Sequence, residues 1–144
     1  MTALPADRLL ALPVRLHGIQ LGRPVDLLLD LQELKAVGLD VLCGDEVHRF
    51  LPLSTAAVSD EEIAILSPFV LLEEDQLVFY RERTVALAAL RGKDVQRDGR
   101  FLGVLEDVVV RTDCTLVAVV ADGRELPLDE TLQIQHGKRA AAVS

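Results

Sequence analysis

Aromatic side chains are scarce in this chain, at 3% of residues, with no tryptophan and one tyrosine. Aliphatic side chains must therefore fill any core. Cysteine is nearly absent too. Cys43 and Cys114 share no C-x-x-C spacing, so the sequence supports neither a disulfide framework nor a closed zinc site. Both read as free, buried or half-buried thiols. No apolar run approaches the roughly 20 residues of a membrane span. The opening stretch lacks the charged start and long apolar stretch of a signal peptide, and Asp7 and Arg8 interrupt it early. A soluble, cytoplasmic protein without membrane insertion is the expectation. Positive charge is also short: 15 Lys and Arg stand against 23 Asp and Glu, for a formal net charge of −8. Nucleic-acid affinity rests mainly on Lys and Arg at phosphates, and anionic lipid attracts the same side chains. The balance disfavours both and suits a basic or neutral protein partner.

What is present is a doubled segment. Residues 14–30 align without a gap on residues 95–111. Val14, Gly18, Leu21, Gly22 and Asp26 fall on Val95, Gly99, Leu102, Gly103 and Asp107, and Leu27–Leu29 fall on Val108–Val110. Further on, Arg49-Phe50-Leu51-Pro52-Leu53 matches Arg124-Glu125-Leu126-Pro127-Leu128. A repeat of turn residues and apolar runs means two copies of one small unit. With 144 residues, 50% of them hydrophobic, a packed core is feasible.

The spacing predicts short strands throughout. In the first copy they are Val14–Leu16, Leu21–Leu31, Leu34–Cys43, Val47–Leu53 and Glu62–Leu66, with turns at His17-Gly18 and Gly44-Asp45-Glu46. In the second they are Val95, Phe101–Val110, Leu116–Ala121, Leu126–Leu128 and Leu132–Ile134. Asp98-Gly99 and Asp122-Gly123 are the preferred pairs for two-residue hairpins, whose central residues need positive φ. The domain reading is a loosely ordered lead-in (1–11), a first repeat (12–66), a linker (67–86), a second repeat (87–135) and a flexible tail (136–144). In the linker, Ser67 and Pro68 suit a helix start. Acids at 73–75 and arginines at 81 and 83 suit a helix dipole, so a short helix is expected within 68–83. The rival is a strand over Leu77–Tyr80. Phe69, Phe79 and Tyr80 lie here, either plugging the joint between repeats or facing a partner. Phe79, Tyr80, Arg81 and Arg83 are the candidate interaction residues.

Catalytic chemistry has little to stand on. Nucleophilic catalysis needs a nucleophile, a base and an orienting group together. Of the three histidines, His136 is in the tail, and His17 occupies a turn where the second copy has Asp98. His48 lies near Cys43, Asp45 and Glu46, a spacing that fits no closed zinc pattern and reads as a polar turn. Gly99 and Gly103 bracket a segment that continues into a strand, so no helix N-terminus is offered to a phosphate. The acid pairs at 61–62, 73–75 and 129–130 read as solvated faces. No enzyme activity, metal or cofactor is expected.

The repeated G-x-x-L-G-x-x-x-D followed by aliphatics resembles the PRC-barrel domain, a small β-barrel. The second copy carries it as Leu90–Val95, Asp98-Gly99, Leu102-Gly103, Asp107 and Val108–Val110, then Leu116–Val120. The first keeps Gly18, Leu21-Gly22, Asp26 and Leu27–Leu29. The resemblance implies a mainly β protein of two tandem PRC-barrel-like barrels, packed as a pseudo-twofold pair with a short helical linker. It implies a non-enzymatic protein-interaction module, an adaptor or regulatory protein. Alternatives are a ribosome or RNA-maturation accessory and a soluble regulator of a membrane transporter. A homodimer is compatible. The residues themselves assign Gly18, Gly22, Asp26, Gly99, Gly103 and Asp107 structural roles: glycines for turns and close strand passage, acids accepting backbone hydrogen bonds. The first copy carries extra residues between Leu31 and Val47, and its final-strand counterpart in the second copy is either missing or supplied by the partner repeat.

Overall fold

The computed structural model describes residues 3–135. The expected tail, 136–144, lies outside the described residues. In chain order, β1 (Ala3–Pro5) and α1 (Ala6–Leu10) lead into β2 (Val14–Leu16), β3 (Ile19–Asp30), β4 (Lys35–Cys43), β5 (His48–Pro52), β6 (Ala57–Val58) and β7 (Ile63–Ile65). After α2 (Glu74–Arg83), β8 (Val85–Ala86) and α3 (Leu87–Leu90) lead into β9 (Asp94–Arg97), β10 (Arg100–Arg111), β11 (Leu116–Ala121), β12 (Arg124–Pro127) and β13 (Leu132–Ile134). The protein is mainly β. One sheet runs β5-β4-β3-β2-β7-β6, and the other runs β12-β11-β10-β9-β13.

Local chemistry explains the hairpins. His17-Gly18, Asp98-Gly99 and Asp122-Gly123 all have positive φ at both residues, the backbone that matches the right-handed twist of flanking strands. Gly22 serves another purpose. A Cβ there would lie 2.7 Å from the Leu42 carbonyl oxygen and 2.8 Å from Val41 Cγ1, so β3 and β4 could not cross as closely.

The two long central strands repeat in detail. The burial patterns of β3 and β10 differ at one position of 12, that of Asp26 and Asp107. Bulges fall between Pro24 and Asp26 and between Leu28 and Leu29, and at Leu105/Asp107 and Val109/Val110 in the second copy. A displacement of 81 residues, Val14 onto Val95, maps each bulge onto the other.

The leading segments are exchanged. β1, which precedes the first repeat, pairs with β10 of the second: Leu4 with Val110 and Pro5 with Val109. β8, which precedes the second repeat, pairs with β3 of the first: Val85 with Leu29 and Ala86 with Leu28. The same displacement relates these pairings residue by residue. Residues 3–10 are therefore not a loose lead-in. Leu4, Ala6 and Leu9 are buried in the body. One buried cluster joins Leu9, Leu27, Leu29 and Ile63 to Leu90, Leu105, Val110 and Leu132. Ala36 N–H donates to the Cys114 carbonyl (2.8 Å) and Leu116 N–H to the Leu34 carbonyl (2.9 Å), so the two central hairpins also touch.

Neither sheet closes into a barrel among the described residues, which corrects the expectation of two barrels. Each closing seam is taken by something else. In the first repeat, Phe50 N–H and carbonyl bond to Leu72 (2.9 and 2.8 Å), so the linker covers the β5 edge. In the second, the Arg97 guanidinium donates to the Pro127 carbonyl (2.8 Å), and its Nε donates to Thr131 Oγ1 (3.1 Å), so a side chain bridges the gap. The last strands also differ. β7 runs parallel to β2, whereas β13 runs antiparallel to β9. The second repeat thus has its own final strand.

The linker forms a helix, α2, and not a strand over Leu77–Tyr80. Ser67 and Pro68 instead open a 3-10 turn (Pro68–Val70), where Ser67 Oγ accepts from Phe69 N–H at 3.1 Å. α2 lies on the outer face of the first sheet, where Leu77 packs with the fully buried Leu28 and Phe50. Burying each such side chain contributes roughly 1.5–3 kcal/mol.

Candidate functional site

The paired aspartates join the two repeats. Asp107 Oδ1 accepts from Val108 N–H (2.9 Å), and Oδ2 accepts from Asp7 N–H at the start of α1 (3.1 Å). Asp26 Oδ1 accepts from Leu27 N–H (2.9 Å) and from Ala88 N–H at the start of α3 (3.2 Å). Asp7 and Ala88 are equivalent under the same displacement. Each aspartate therefore holds the first turn of the other repeat's helix, satisfying an N–H that has no partner within the helix. Gly103, at φ 146°, brings β10 against the next hairpin, and Gly18 and Gly99 sit in the turns. These six motif residues are spread through the framework.

The linker residues divide. Tyr80 stacks on Phe50 with ring centroids 4.3 Å apart, so it is packing. Arg81 bonds Asp40 Oδ2, and His48 Nδ1 lies 2.7 Å from Asp40 Oδ1. Asp40 is 1% exposed, and these two side chains account for both its oxygens. Sequence reasoning missed Asp40. The signal was a lone acid within the apolar run Ala36–Cys43 of β4, opposite Phe50. Phe79 and Arg83 remain exposed, with the guanidinium 3.6 Å from the ring centroid. They sit against each other.

A feature with the shape of a site arises where the repeats differ. Eight steps separate Val41 from its partner Arg49, against three from Ala121 to Arg124. Five extra residues thus lengthen the β4–β5 hairpin. Its tip faces the segment 68–76, and an open groove of about 800 Å³ lies between them. Leu21, Leu71 and Phe69 supply apolar wall, and Asp45, Glu73 and Asp75 line it with carboxylates. Phe69 is 88% exposed. Cys43 lies at the floor and is buried.

Arg49 shows how this end has been rebuilt. Its counterpart, Arg124, donates to the Leu102 carbonyl at 2.8 Å. In the first repeat the counterpart carbonyl, Leu21, accepts Gly44 N–H of the longer hairpin instead (3.1 Å). Arg49 therefore turns to Asp45, with two bonds of 3.0 and 2.9 Å, and reaches Glu73 at 3.5 Å. The Arg49 guanidinium holds the Asp45 carboxyl below its ordinary range, and Asp45 together with Cys43 raises Arg49. Both stay charged across the physiological range. Cys114, half-buried elsewhere, is pushed up by burial and by nearby Asp113.

The polar cluster at 43–48 does not converge. Cys43 packs in the main core beside Val41, whereas His48 meets Asp40 toward the α2 side. Among the described residues, no three His, Cys, Asp or Glu side chains are grouped to hold a metal ion. No helix among them is long and apolar enough to cross a membrane. Neither a protein-family model nor a curated protein matches the chain.

Proposed function

We propose that the chain is a non-enzymatic protein-interaction module, an adaptor or regulatory protein of two PRC-barrel-like repeats packed as a pseudo-twofold pair. The matching strand exchanges and the matching Asp26 and Asp107 bonds support the paired arrangement. One observation carries the functional reading. The β4–β5 hairpin, longer than its counterpart in the second repeat, and the linker segment together form the groove. A concave, partly apolar surface rimmed by polar groups is the usual form of a recognition site. The cytoplasm is the compartment proposed for it.

The test is capture from native lysate with the full chain as bait, beside Phe69→Ser, which alters an exposed side chain. A partner retained by the parent chain and lost with the variant is the expected result. Ribosomal proteins in that fraction would favour a maturation factor, and an integral membrane protein would favour a transporter regulator. Capture of no partner at all, or turnover of a small molecule by the purified chain, would defeat the reading.

A further inference from the structure

We infer that the groove takes a peptide segment of a separate protein, one that sets an aliphatic or aromatic side chain beside a lysine or arginine. The inference rests on the interaction-module reading and names the chemistry of its partner.

Shape and charge argue it together. Single exposed apolar residues are ordinary on a protein surface. Phe69 differs because it stands at the lip of a concave space whose walls include Leu21 and Leu71. An inserted apolar side chain would cover these surfaces at once. The charge of the rim then selects what flanks that side chain. Asp45, Glu73 and Asp75 line the groove against a single cation, Arg49. That cation is already bound by Asp45 through two bonds and approached by Glu73. An acidic ligand would have to displace Asp45 while facing Glu73 and Asp75. A basic ligand meets carboxylates directly, and the net charge of −8 speeds its approach. The groove also binds without strand addition, because Leu72 already occupies the free edge of β5. Side chains must therefore supply the specificity.

The experiment pans a random 12-residue phage-displayed library on the full chain at low salt. The selected peptide is then synthesised, and its affinity is measured by fluorescence anisotropy. Enriched peptides should pair an apolar residue with Lys or Arg. Phe69→Ser should weaken binding about ten-fold, a typical loss for a central apolar anchor. The Glu73→Gln, Asp75→Asn double variant should weaken it and flatten its salt dependence. No enrichment, acidic peptides, or binding unchanged in both variants would overturn the inference. So would a dimer in sedimentation equilibrium that Phe69→Ser dissolves, which would make a second copy the occupant. A chain ending at residue 135 that binds more tightly would identify residues 136–144 as the occupant and overturn it equally. A native partner retained despite Phe69→Ser would sink this peptide class while leaving an interaction module that works through another surface.

Discussion

Removing the Asp107 carboxylate would leave the N–H groups of Asp7 and Val108 without their acceptor and the Arg91 guanidinium without one of its two partners. Asp107 is 6% exposed, so water cannot readily replace it. Asp107→Ala should therefore cost about 1–3 kcal/mol, the penalty of stranding buried donors. Asp26 is less buried, and Asp26→Ala should cost about 1 kcal/mol, as for a lost helix cap. Urea unfolding measures both, and equal midpoints for parent and variants would contradict the capping role. Gly103 gives a sharper test. At φ 146° a side chain is strained, and its Cβ would lie 3.1 Å from Asp122 Cβ. Gly103→Val should abolish cooperative folding, and an unchanged thermal midpoint would refute this. That these acids accept backbone N–H groups was legible in the sequence, because short acids beside strands commonly do so. The identity of the donors was not. Ala88 lies 62 residues from Asp26, and Asp7 lies 100 from Asp107.

At the scale of elements, α2 is held by packing and by one buried acid. Leu77 and Tyr80 cover Phe50, and Arg81 reaches Asp40. Val120 stands in the second repeat where Asp40 stands in the first, each paired across the sheet with the matching aspartate, Asp107 or Asp26. Arg81→Met should cost about 1–3 kcal/mol, discounted because Arg81 is itself half exposed, since it leaves Asp40 with His48 alone. Adding Asp40→Val should restore most of that loss, because replacing a buried ion pair with apolar groups is often neutral. Denaturation of the two single variants and the double variant reads this coupling directly. A double variant as unstable as the sum of the singles would show the two residues to be independent. A helix in the linker followed from its charge order, with acids early and arginines late. Its burial partners did not, because a partner several strands away leaves no local mark.

The whole molecule depends on exchange. Each repeat lends a strand and a helical turn to the other, and one apolar cluster runs through both. A half chain, 1–66 or 67–144, would leave an uncovered central strand and an aspartate without its distant helix. Each half alone should be unstable or self-associate, and mixing the halves should recover a 1:1 complex. Light scattering and circular dichroism would show this, and two independent, monomeric, cooperative melts would disprove it.

The sequence by itself determined the strands, the hairpin turns and the duplication. Those depend on apolar runs, on residues tolerant of positive φ and on in-register identity, all of which act over a few residues. Tertiary structure alone decided that the leading segments change places, that the sheets stay open and that a groove forms at one end. Those outcomes depend on which distant backbone groups meet. Leu72 takes the β5 edge at Phe50, and Arg97 bridges the corresponding seam in the second repeat. The extra residues of the first copy, between Leu31 and Val47, were countable from the start. Only their position opposite Phe69 and Glu73 makes them a wall of the groove.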